Sequence, residues 1–185
     1  MRKEHFDHLI AAAVDVSGER EIVVIGSQAI HGSVEEPPGI LAESMEVDVY
    51  PLGDPEKAIE IEAVLGEGSS FQGVYGYYAH GVGPETMKGP AGWRDRLIRV
   101  KVPPRPGQEA EPVALCLELH DLVLAKCAAG RTRDWDYARK MLQLQLVDYE
   151  VLVERIDEMP GGPEHQDQIR EMLAGITSQI ARQLE

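Results

Sequence analysis

The junction between a short apolar strand and a Gly-Ser pair constrains the fold of this chain more than any other feature. Residues 22–25 are all Ile or Val, a continuously apolar run that is typical of a strand buried on both faces. Gly26 and Ser27 follow at once, and a helical turn is expected to begin there. Glycine lets a backbone approach a ligand closely, and the N–H groups at a helix start favour phosphate. The junction predicts a phosphate-binding turn, with a plain strand-to-helix connection as the alternative.

A second strand, predicted over residues 46–50, carries two carboxylates at alternate positions. Glu46 and Asp48 are two residues apart, so both side chains point to the same face of the strand. The apolar residues expected on the opposite face are Met45, Val47 and Val49. Like charges on one sheet face repel each other unless something neutralises them. Because Mg²⁺ prefers a few carboxylates plus substrate phosphates, the pair predicts a magnesium site, with a solvated acidic face as the alternative.

The order of predicted elements indicates an α+β fold, in which helices flank a small mixed sheet and a helical C-terminal part follows. The expected strands are 22–25, 46–50, 96–102 and 113–116, with a short hairpin or irregular strand over 71–80. The expected helices are 5–16, 55–65, 118–128, 134–144, 149–159 and 164–184. In the helix at 55–65, the inner face is expected to hold Ile59, Ala63, Val64 and Leu65.

Three parts are expected along the chain. Residues 1–112 form an α/β core, residues 113–159 form a helical part that completes the site, and residues 164–185 form a terminal amphipathic helix. A Pro/Gly segment at 160–163 is expected to be a linker. The apolar stripe of the terminal helix, which is expected to pack on the same chain, consists of Ile169, Met172, Leu173, Ile176, Ile180 and Leu184.

Composition excludes several classes of function. The net charge of −14 disfavours a general nucleic-acid coat, which needs clustered Lys and Arg, but leaves room for a local triphosphate or RNA-end pocket. No apolar run approaches the roughly 20 residues of a membrane span, and the charged N-terminus lacks a signal core, so a cytoplasmic protein is expected. Cys116 and Cys127 are expected to be small buried hydrophobes, and without a CxxC motif no zinc site is predicted.

A second group of polar residues lies between Asp121 and Asp136. Lys126 lies within a predicted apolar helix, so its side chain either reaches outward to solvent or projects into a site. Arg131 follows the Gly130 that is expected to end this helix. The structural interpretation is that the cations complement the helix dipole while Asp134 or Asp136 caps the next helix. The functional interpretation is that Lys126 and Arg131 bind a triphosphate.

Taken together, these residues resemble the minimal nucleotidyltransferases of the polymerase-beta-like superfamily. The mark of that superfamily is a Gly-Ser turn followed by an Asp-x-Asp strand, and this chain has Gly26-Ser27 and then Glu46-Val47-Asp48. Segments 77–85, 92–97 and 121–136 are similar to one branch, the small bacterial proteins related to AbiEii toxins of toxin–antitoxin and phage-defence systems. The similarity extends over residues 20–142.

The resemblance implies a Mg²⁺-dependent reaction in which an acceptor hydroxyl attacks the α-phosphate of a nucleoside triphosphate and pyrophosphate leaves. It assigns nucleotide binding to Gly26, Ser27, Lys126, Arg131 and Asp134. It assigns catalysis to Glu46, Asp48 and Asp136, and the metal to Glu46 and Asp48. In the toxin branch the acceptor can be RNA, including tRNA ends, and an antitoxin protein is the expected partner.

The chain departs from the family pattern at the first metal position. Glu46 stands where the pattern has Asp, and the additional methylene would shift the metal or require the strand to adjust. Asp95 is the candidate for a third carboxylate, with a turn residue as its alternative role. A catalytically inactive nucleotide-binding or protein-interaction module is therefore the alternative function. A phosphoesterase ranks lower, because the available histidines are expected to be structural or exposed: His31, His80 and His120.

Overall fold

The computed structural model describes residues 1–183 and has an α+β architecture, as the sequence predicts. Its strands are β1 (Glu21–Val24), β2 (Glu46–Pro51), β3 (Tyr78–Gly81), β4 (Ile98–Lys101) and β5 (Val113–Cys116). Its α-helices are α1 (Lys3–Ser17), α2 (Ala58–Leu65), α3 (Ser70–Tyr75), α4 (Leu119–Ala129), α5 (Thr132–Gln143), α6 (Tyr149–Ile156) and α7 (Gly162–Gln183). Short 3₁₀ helices include Ser27–Gly32, Pro55–Lys57 and Trp93–Arg96. None of the described helices combines the length and the apolar character that crossing a membrane requires.

The chain forms two compact units. The first unit comprises Met1–Thr86 and Arg96–Glu118, and the second comprises Met87–Asp95 and the described residues from Leu119 onward. The predicted boundary at residue 112 precedes β5, whereas these units divide after Glu118. Since β5 pairs with β1 along its whole length, it belongs with the sheet of the first unit.

The first unit is built on a five-stranded mixed sheet with the order β3-β2-β1-β5-β4. The central strand β1 pairs in parallel with β5 and antiparallel with β2, and β3 adds to β2 in parallel at one edge. Strand β1 is apolar because it is covered on both faces, and Ile22, Val23 and Val24 have no exposed surface. Helix α1 contributes a fully buried face and ends at Gly18, whose φ of 68° is the left-handed conformation typical of a C-terminal glycine.

The predicted inner face of the helix at 55–65 is right for Leu65 and wrong for Ile59, Ala63 and Val64. Ile59 is 77% exposed and Val64 is 52% exposed, whereas the buried residues of α2 are Ala58, Ile61 and Leu65. The buried set has spacings of three and four residues, the period of an α-helix. Except for Leu65, the expected inward positions therefore lie on the solvent side of a helix whose sequence has apolar residues on both faces.

The hairpin or irregular strand predicted over 71–80 is right only at its end, where a strand forms, and wrong over the preceding residues. Residues 70–75 form α3, which begins after Ser69, whose side chain accepts a hydrogen bond from the backbone N–H of Gln72. The helix ends at Gly76 with a φ of 78°, and β3 begins at Tyr78. Strand β3 pairs in parallel with β2, so its partner comes from elsewhere in the chain and not from a neighbouring hairpin strand.

The second unit is helical, as the sequence predicts for the C-terminal part. Helix α7 packs against α4, α5 and α6 within this unit. Its buried stripe is Ile169, Leu173 and Ile176, while Met172 is 45% exposed and the predicted stripe member Leu184 lies outside the described residues. Helix α7 begins at Gly162, so the expected linker is shorter than predicted, and Pro163 lies in the first turn, where its missing N–H is not needed.

His31 makes the stability of the fold depend on pH. Only 3% of this residue is exposed, and burial, together with the positive charges of Lys3 and the N-terminal amine, lowers the pKa of His31 to about 4. Because the unfolded chain takes up this proton near pH 6.5 and the folded chain does not, stability falls as pH decreases through the range between these two values.

When the pH is lowered from about 7.5 to about 5, we expect the free energy of unfolding of the parent to decrease. The decrease should be roughly 2 kcal/mol larger than in His31→Leu, which has no imidazole to protonate. Urea denaturation of both proteins at each pH measures this difference. The comparison removes the contribution of the other titrating groups, which both proteins share. Parallel pH dependences would show that His31 does not cause the acid destabilisation.

Candidate functional site

One face of β2 carries acids and the other is buried. Val47 and Val49 have no exposed surface, while Glu46 and Asp48 point to the opposite face and are half-buried. This alternation follows from the two-residue period of a strand. Met45 differs from expectation, because it precedes the strand and is 49% exposed.

His80 joins the two acids. Strand β3 pairs with β2 in a register that places His80 opposite Asp48. The imidazole Nδ1 lies 2.9 Å from Glu46 Oε1 and 3.0 Å from Asp48 Oδ1. His80 is exposed, as expected, and its ring in addition bridges both carboxylates, a contact that the sequence did not predict.

The electrostatics of these three side chains are linked. Burial and the neighbouring charge of Asp48 raise the pKa of Glu46, and the charge of His80 acts in the opposite direction. Burial alone would lower the pKa of His80, but the hydrogen bond and charge of Asp48 and the charge of Glu46 outweigh it, so this pKa is raised. The two acids thus favour the protonated form of the imidazole, whose positive charge relieves part of their mutual repulsion.

Gly26 lies directly against Asp48. A Cβ atom built on Gly26 would lie 1.9 Å from Asp48 Oδ2, which no side chain could tolerate in this arrangement. Its backbone has φ −90° and ψ −166°, an extended conformation open to any residue, so what glycine provides here is space for the Asp48 carboxylate in its present position. The backbone N–H of Ile25 donates to the carbonyl of Asp48 at 3.1 Å, which ties the end of β1 to the acidic strand.

Gln28 and Ser44 fix the segment that leads into Glu46. The 3₁₀ helix beginning at Ser27 buries Gln28 completely, and Gln28 Nε2 donates to the carbonyl of Ser44 at 2.9 Å. The hydroxyl of Ser44 accepts the backbone N–H of Glu46 at 3.0 Å. A six-residue 3₁₀ helix aligns few peptide dipoles, so the Gly-Ser turn acts here mainly through close backbone packing.

The edge strand β3 is held in place by Gly81. Its backbone N–H donates to Glu62 Oε2 at 2.7 Å. A Cβ atom on Gly81 would lie 2.0 Å from the carbonyl oxygen of Ala58, so α2 packs directly on the strand backbone. These contacts position the strand that carries His80.

Glu46, Asp48 and His80 together form a group that fits a divalent cation. One ligand atom from each lies within 4.8 Å of the other two. Two carboxylates fit Mg²⁺, which keeps several waters and substrate oxygens in its remaining positions. His80 offers a nitrogen atom that sequence reasoning missed, because its place beside the acids depends on strand pairing and its segment was expected to form a hairpin or irregular strand. The alternation of Tyr78 and His80 in a strand beside the acids is the signal that could have found it.

The other predicted site residues lie in the second unit, where the structure brings three of them together. Asp134 is 1% exposed, and its carboxylate lies 2.6 Å from Arg131 Nε and 3.6 Å from Lys126 Nζ. Lys126 Nζ also lies 4.6 Å from the centre of the Tyr137 ring. Asp136 is exposed on α5 and does not belong to this cluster.

Several neighbouring polar residues have structural contacts. Arg131 occupies the N-cap position of α5 and Asp134 lies in the first turn, so the predicted capping role of Asp134 or Asp136 is wrong. Asp121 has no exposed surface and pairs with Arg155 at 2.8 Å. His120 Nε2 accepts the backbone N–H of Asp148 at 2.9 Å, in line with its expected structural role. Asp95, the candidate third carboxylate, is exposed on the Trp93–Arg96 3₁₀ helix.

Alanine variants of Gly26 and Gly32 show whether the contact between Gly26 and Asp48 matters for cation binding or for stability. In Gly26→Ala the added methyl meets the end of the Asp48 side chain, which can rotate away, so we expect divalent-cation affinity to fall at least about tenfold with little change in stability. In Gly32→Ala the methyl lies 2.5 Å from Cys116 Cβ in the buried sheet, and we expect a loss of about 1–3 kcal/mol. Calorimetric titration with Mg²⁺ or Mn²⁺ and thermal unfolding measure the two effects. Unchanged cation affinity in Gly26→Ala would contradict this assignment.

Asp134 and Asp136 provide a matched pair on one helix. Removing the buried carboxylate leaves two cations without their shared counter-charge, so we expect Asp134→Ala to lower the free energy of unfolding by about 2–3 kcal/mol. Asp136→Ala changes an exposed position and is expected to remain within about 0.5 kcal/mol of the parent. Chemical denaturation of the two variants measures the difference. Equal stabilities would show that the Asp134 cluster does not hold the second unit together.

Comparison with known families gives one match. A family model described as "Nucleotidyltransferase of unknown function (DUF6036)" matches residues 4–177. No curated protein and no solved structure matches the chain.

Proposed function

Because the chain belongs to this family of nucleotidyltransferases of unknown function, we propose that it is a Mg²⁺-dependent enzyme that moves a nucleoside monophosphate from a nucleoside triphosphate to an acceptor hydroxyl. The observation that carries the proposal is the contact between Gly26 and Asp48, with Glu46 on the same strand face. It joins the Gly-Ser turn and the acidic strand, the two features that mark the superfamily this chain resembles.

Glu46 and Asp48 are the proposed metal ligands. Their carboxylates share one strand face, are half-buried and repel each other, so a cation between them is favoured. When bound there, the ion would supply charge stabilisation for the attacking and leaving oxygens of an in-line phosphoryl displacement. The protein's own contribution is to hold the two carboxylates in fixed positions through the β2 ladder and the contact with Gly26.

Gly26 and Ser27 are the proposed phosphate-binding residues. The absence of a Cβ atom at Gly26 lets the backbone of the Gly-Ser turn lie directly against the Asp48 carboxylate, so phosphates bound by this turn would lie beside a metal ligand. Ser27 contributes a hydroxyl and a backbone N–H at the start of the following 3₁₀ helix. This arrangement supports a nucleotide whose phosphates lie close to the metal ligands.

Lys126, Arg131, Asp134 and Asp136 keep the roles that the family resemblance implies, as proposals. The cluster of Lys126, Arg131 and Asp134 contains two cations and one carboxylate, so it carries an excess positive charge that suits a triphosphate. Asp134 would then orient the two cations. A catalytic role for Asp136 rests on the resemblance alone.

The acceptor is proposed to be an RNA end, including a tRNA end, in a toxin–antitoxin setting in the cytoplasm. The net charge of −14 argues against an extended RNA-binding surface, so a short contact near the reacting hydroxyl is favoured. The two cysteines are free and buried, which agrees with a reducing compartment. An antitoxin protein is the corresponding proposed partner.

A second candidate function is a nucleotide-binding or protein-interaction module without turnover. Two observations favour it: Glu46 is one methylene longer than the Asp of the family pattern, and His80 already bridges both acids. In that case the positive charge of His80 would offset part of the negative charge of Glu46 and Asp48 without a metal ion. Activity measurements separate the two functions.

The enzyme proposal is tested by incubating the purified protein with each radiolabelled nucleoside triphosphate, Mg²⁺ and total RNA. We expect label from at least one nucleotide to appear on RNA or on another acceptor. Asp48→Asn should reduce the rate by at least about 100-fold, since even the outer partners of metal ligands contribute 10–100-fold. Glu60→Gln, at an exposed acid on α2, is the matched control and should leave the rate unchanged.

Thermal unfolding with each nucleotide and Mg²⁺ is the companion measurement. A ligand that binds only the folded state raises the midpoint, so the enzyme and a nucleotide-binding module both predict a shift in the parent, whereas a protein-interaction module predicts none. Transfer together with a shift supports the enzyme, and a shift without transfer supports the module. Absence of both for all four nucleotides at millimolar concentration would refute a nucleotide site in this chain.

A further inference from the structure

We propose that His80 is a ligand of the bound metal ion, and that the site therefore prefers a first-row transition dication such as Mn²⁺ to Mg²⁺. This inference rests on the proposed function in one respect, because it concerns the same metal site. It goes further by assigning a ligand outside the acidic motif and by identifying the class of ion.

The distances around His80 Nδ1 suit coordination. Two ligand atoms at right angles about an ion with bonds of about 2.1 Å lie about 3.0 Å apart. The observed separations of His80 Nδ1 from Glu46 Oε1 and Asp48 Oδ1 are 2.9 Å and 3.0 Å. An ion can therefore take one ligand atom from each side chain with small movements, and the proton on Nδ1 leaves to solvent when the nitrogen binds metal.

The donor set determines the preference among ions. Carboxylate and water oxygens suit Mg²⁺ and Mn²⁺ alike, whereas imidazole nitrogen suits the transition metals. A site with an imidazole in place of a third carboxylate also has one negative charge fewer. This lowers the affinity for Mg²⁺ more than the affinity for Mn²⁺, because Mn²⁺ gains from the nitrogen ligand. Glu46, Asp48 and His80 thus favour Mn²⁺ over Mg²⁺.

The backbone holds His80 in the required position. Its strand pairs in register with β2, so the side chains of His80 and Asp48 lie side by side on one face. The next residue, Gly81, is fixed by Glu62 and by the carbonyl of Ala58. On the other side Gly26 packs against the Asp48 carboxylate. The three ligands therefore come from elements that are fixed before any ion binds.

The site is also open on one side. The side chains of Glu46, Asp48 and His80 are 36%, 30% and 48% exposed, respectively. Three protein ligands leave about three positions of an octahedral ion for water or phosphate oxygens. This number of open positions suits an ion that binds a substrate, and differs from a closed structural metal site.

The direct test is pulsed electron paramagnetic resonance of the purified protein with Mn²⁺ alone. Imidazole coordination gives a ¹⁴N modulation of the Mn²⁺ signal, which we expect in the parent and which should be absent in His80→Gln. Tyr78→Phe is the matched control: Tyr78 lies on the same strand, and its hydroxyl is 3.5 Å from Glu46 Oε2, so this variant should retain the nitrogen signal.

Affinity measurements test the preference. Titration of the free Mn²⁺ signal should show that His80→Gln binds Mn²⁺ at least about tenfold more weakly, and that Mg²⁺ competition is affected by a smaller factor. His80→Asp restores an all-carboxylate set and should shift the preference towards Mg²⁺. Bound Mn²⁺ without a nitrogen signal, or equal losses for both ions in His80→Gln, would overturn the proposal and leave His80 as a neutralising partner only.

These outcomes are independent of turnover. A nitrogen-ligated Mn²⁺ site in a protein that transfers no nucleotide would support this inference and remove the enzyme proposal. Nucleotide transfer by a protein whose Mn²⁺ shows no nitrogen ligand would do the opposite. Thermal unfolding of His80→Gln, an exposed position, confirms that any loss of affinity arises in a folded protein.

Discussion

The repulsion between two carboxylates on one face of β2 is the constraint on which the rest of the site depends. Glu46 and Asp48 are directed to that face because Val47 and Val49 occupy the core on the other. The imidazole of His80 on β3 bridges the two acids and reduces their repulsion. The Asp48 carboxylate can occupy its present position only because Gly26 has no side chain. The apolar strand, the glycine turn and the edge strand are thus parts of one electrostatic arrangement.

In the second unit the charged residues of interest are buried carboxylates paired with arginines. Asp134 and Asp121 are almost completely buried, and each pairs with an arginine. Buried carboxylates of this kind hold helices together when their partners are present and destabilise the fold when a partner is lost. Any functional role of Lys126 and Arg131 would therefore be additional to a structural one, which explains why residue types alone could not separate the two interpretations.

Local patterns predicted much of the fold, because apolar periodicity and turn residues act over short distances. Strands β1, β2 and β5 and the helical C-terminal part were predictable in this way. The inward face of α2 was not, because apolar residues such as Ile59 occur on both of its sides. His80 was missed for a different reason: its role depends on the parallel pairing of β3 with β2, which tertiary packing decides. The spacing of Glu46 and Asp48 was enough to identify them, whereas identifying His80 required knowledge of how the strands pair in the sheet.

The most direct test of the account is a crystal structure of the protein with Mn²⁺ and a non-hydrolysable nucleoside triphosphate, recorded at the manganese absorption edge. We expect an anomalous peak bounded by Glu46, Asp48 and His80, with the phosphates of the nucleotide next to Gly26 and Ser27. A manganese peak elsewhere, or a nucleotide bound away from the Gly-Ser turn while the His80 bridge stays intact, would contradict it.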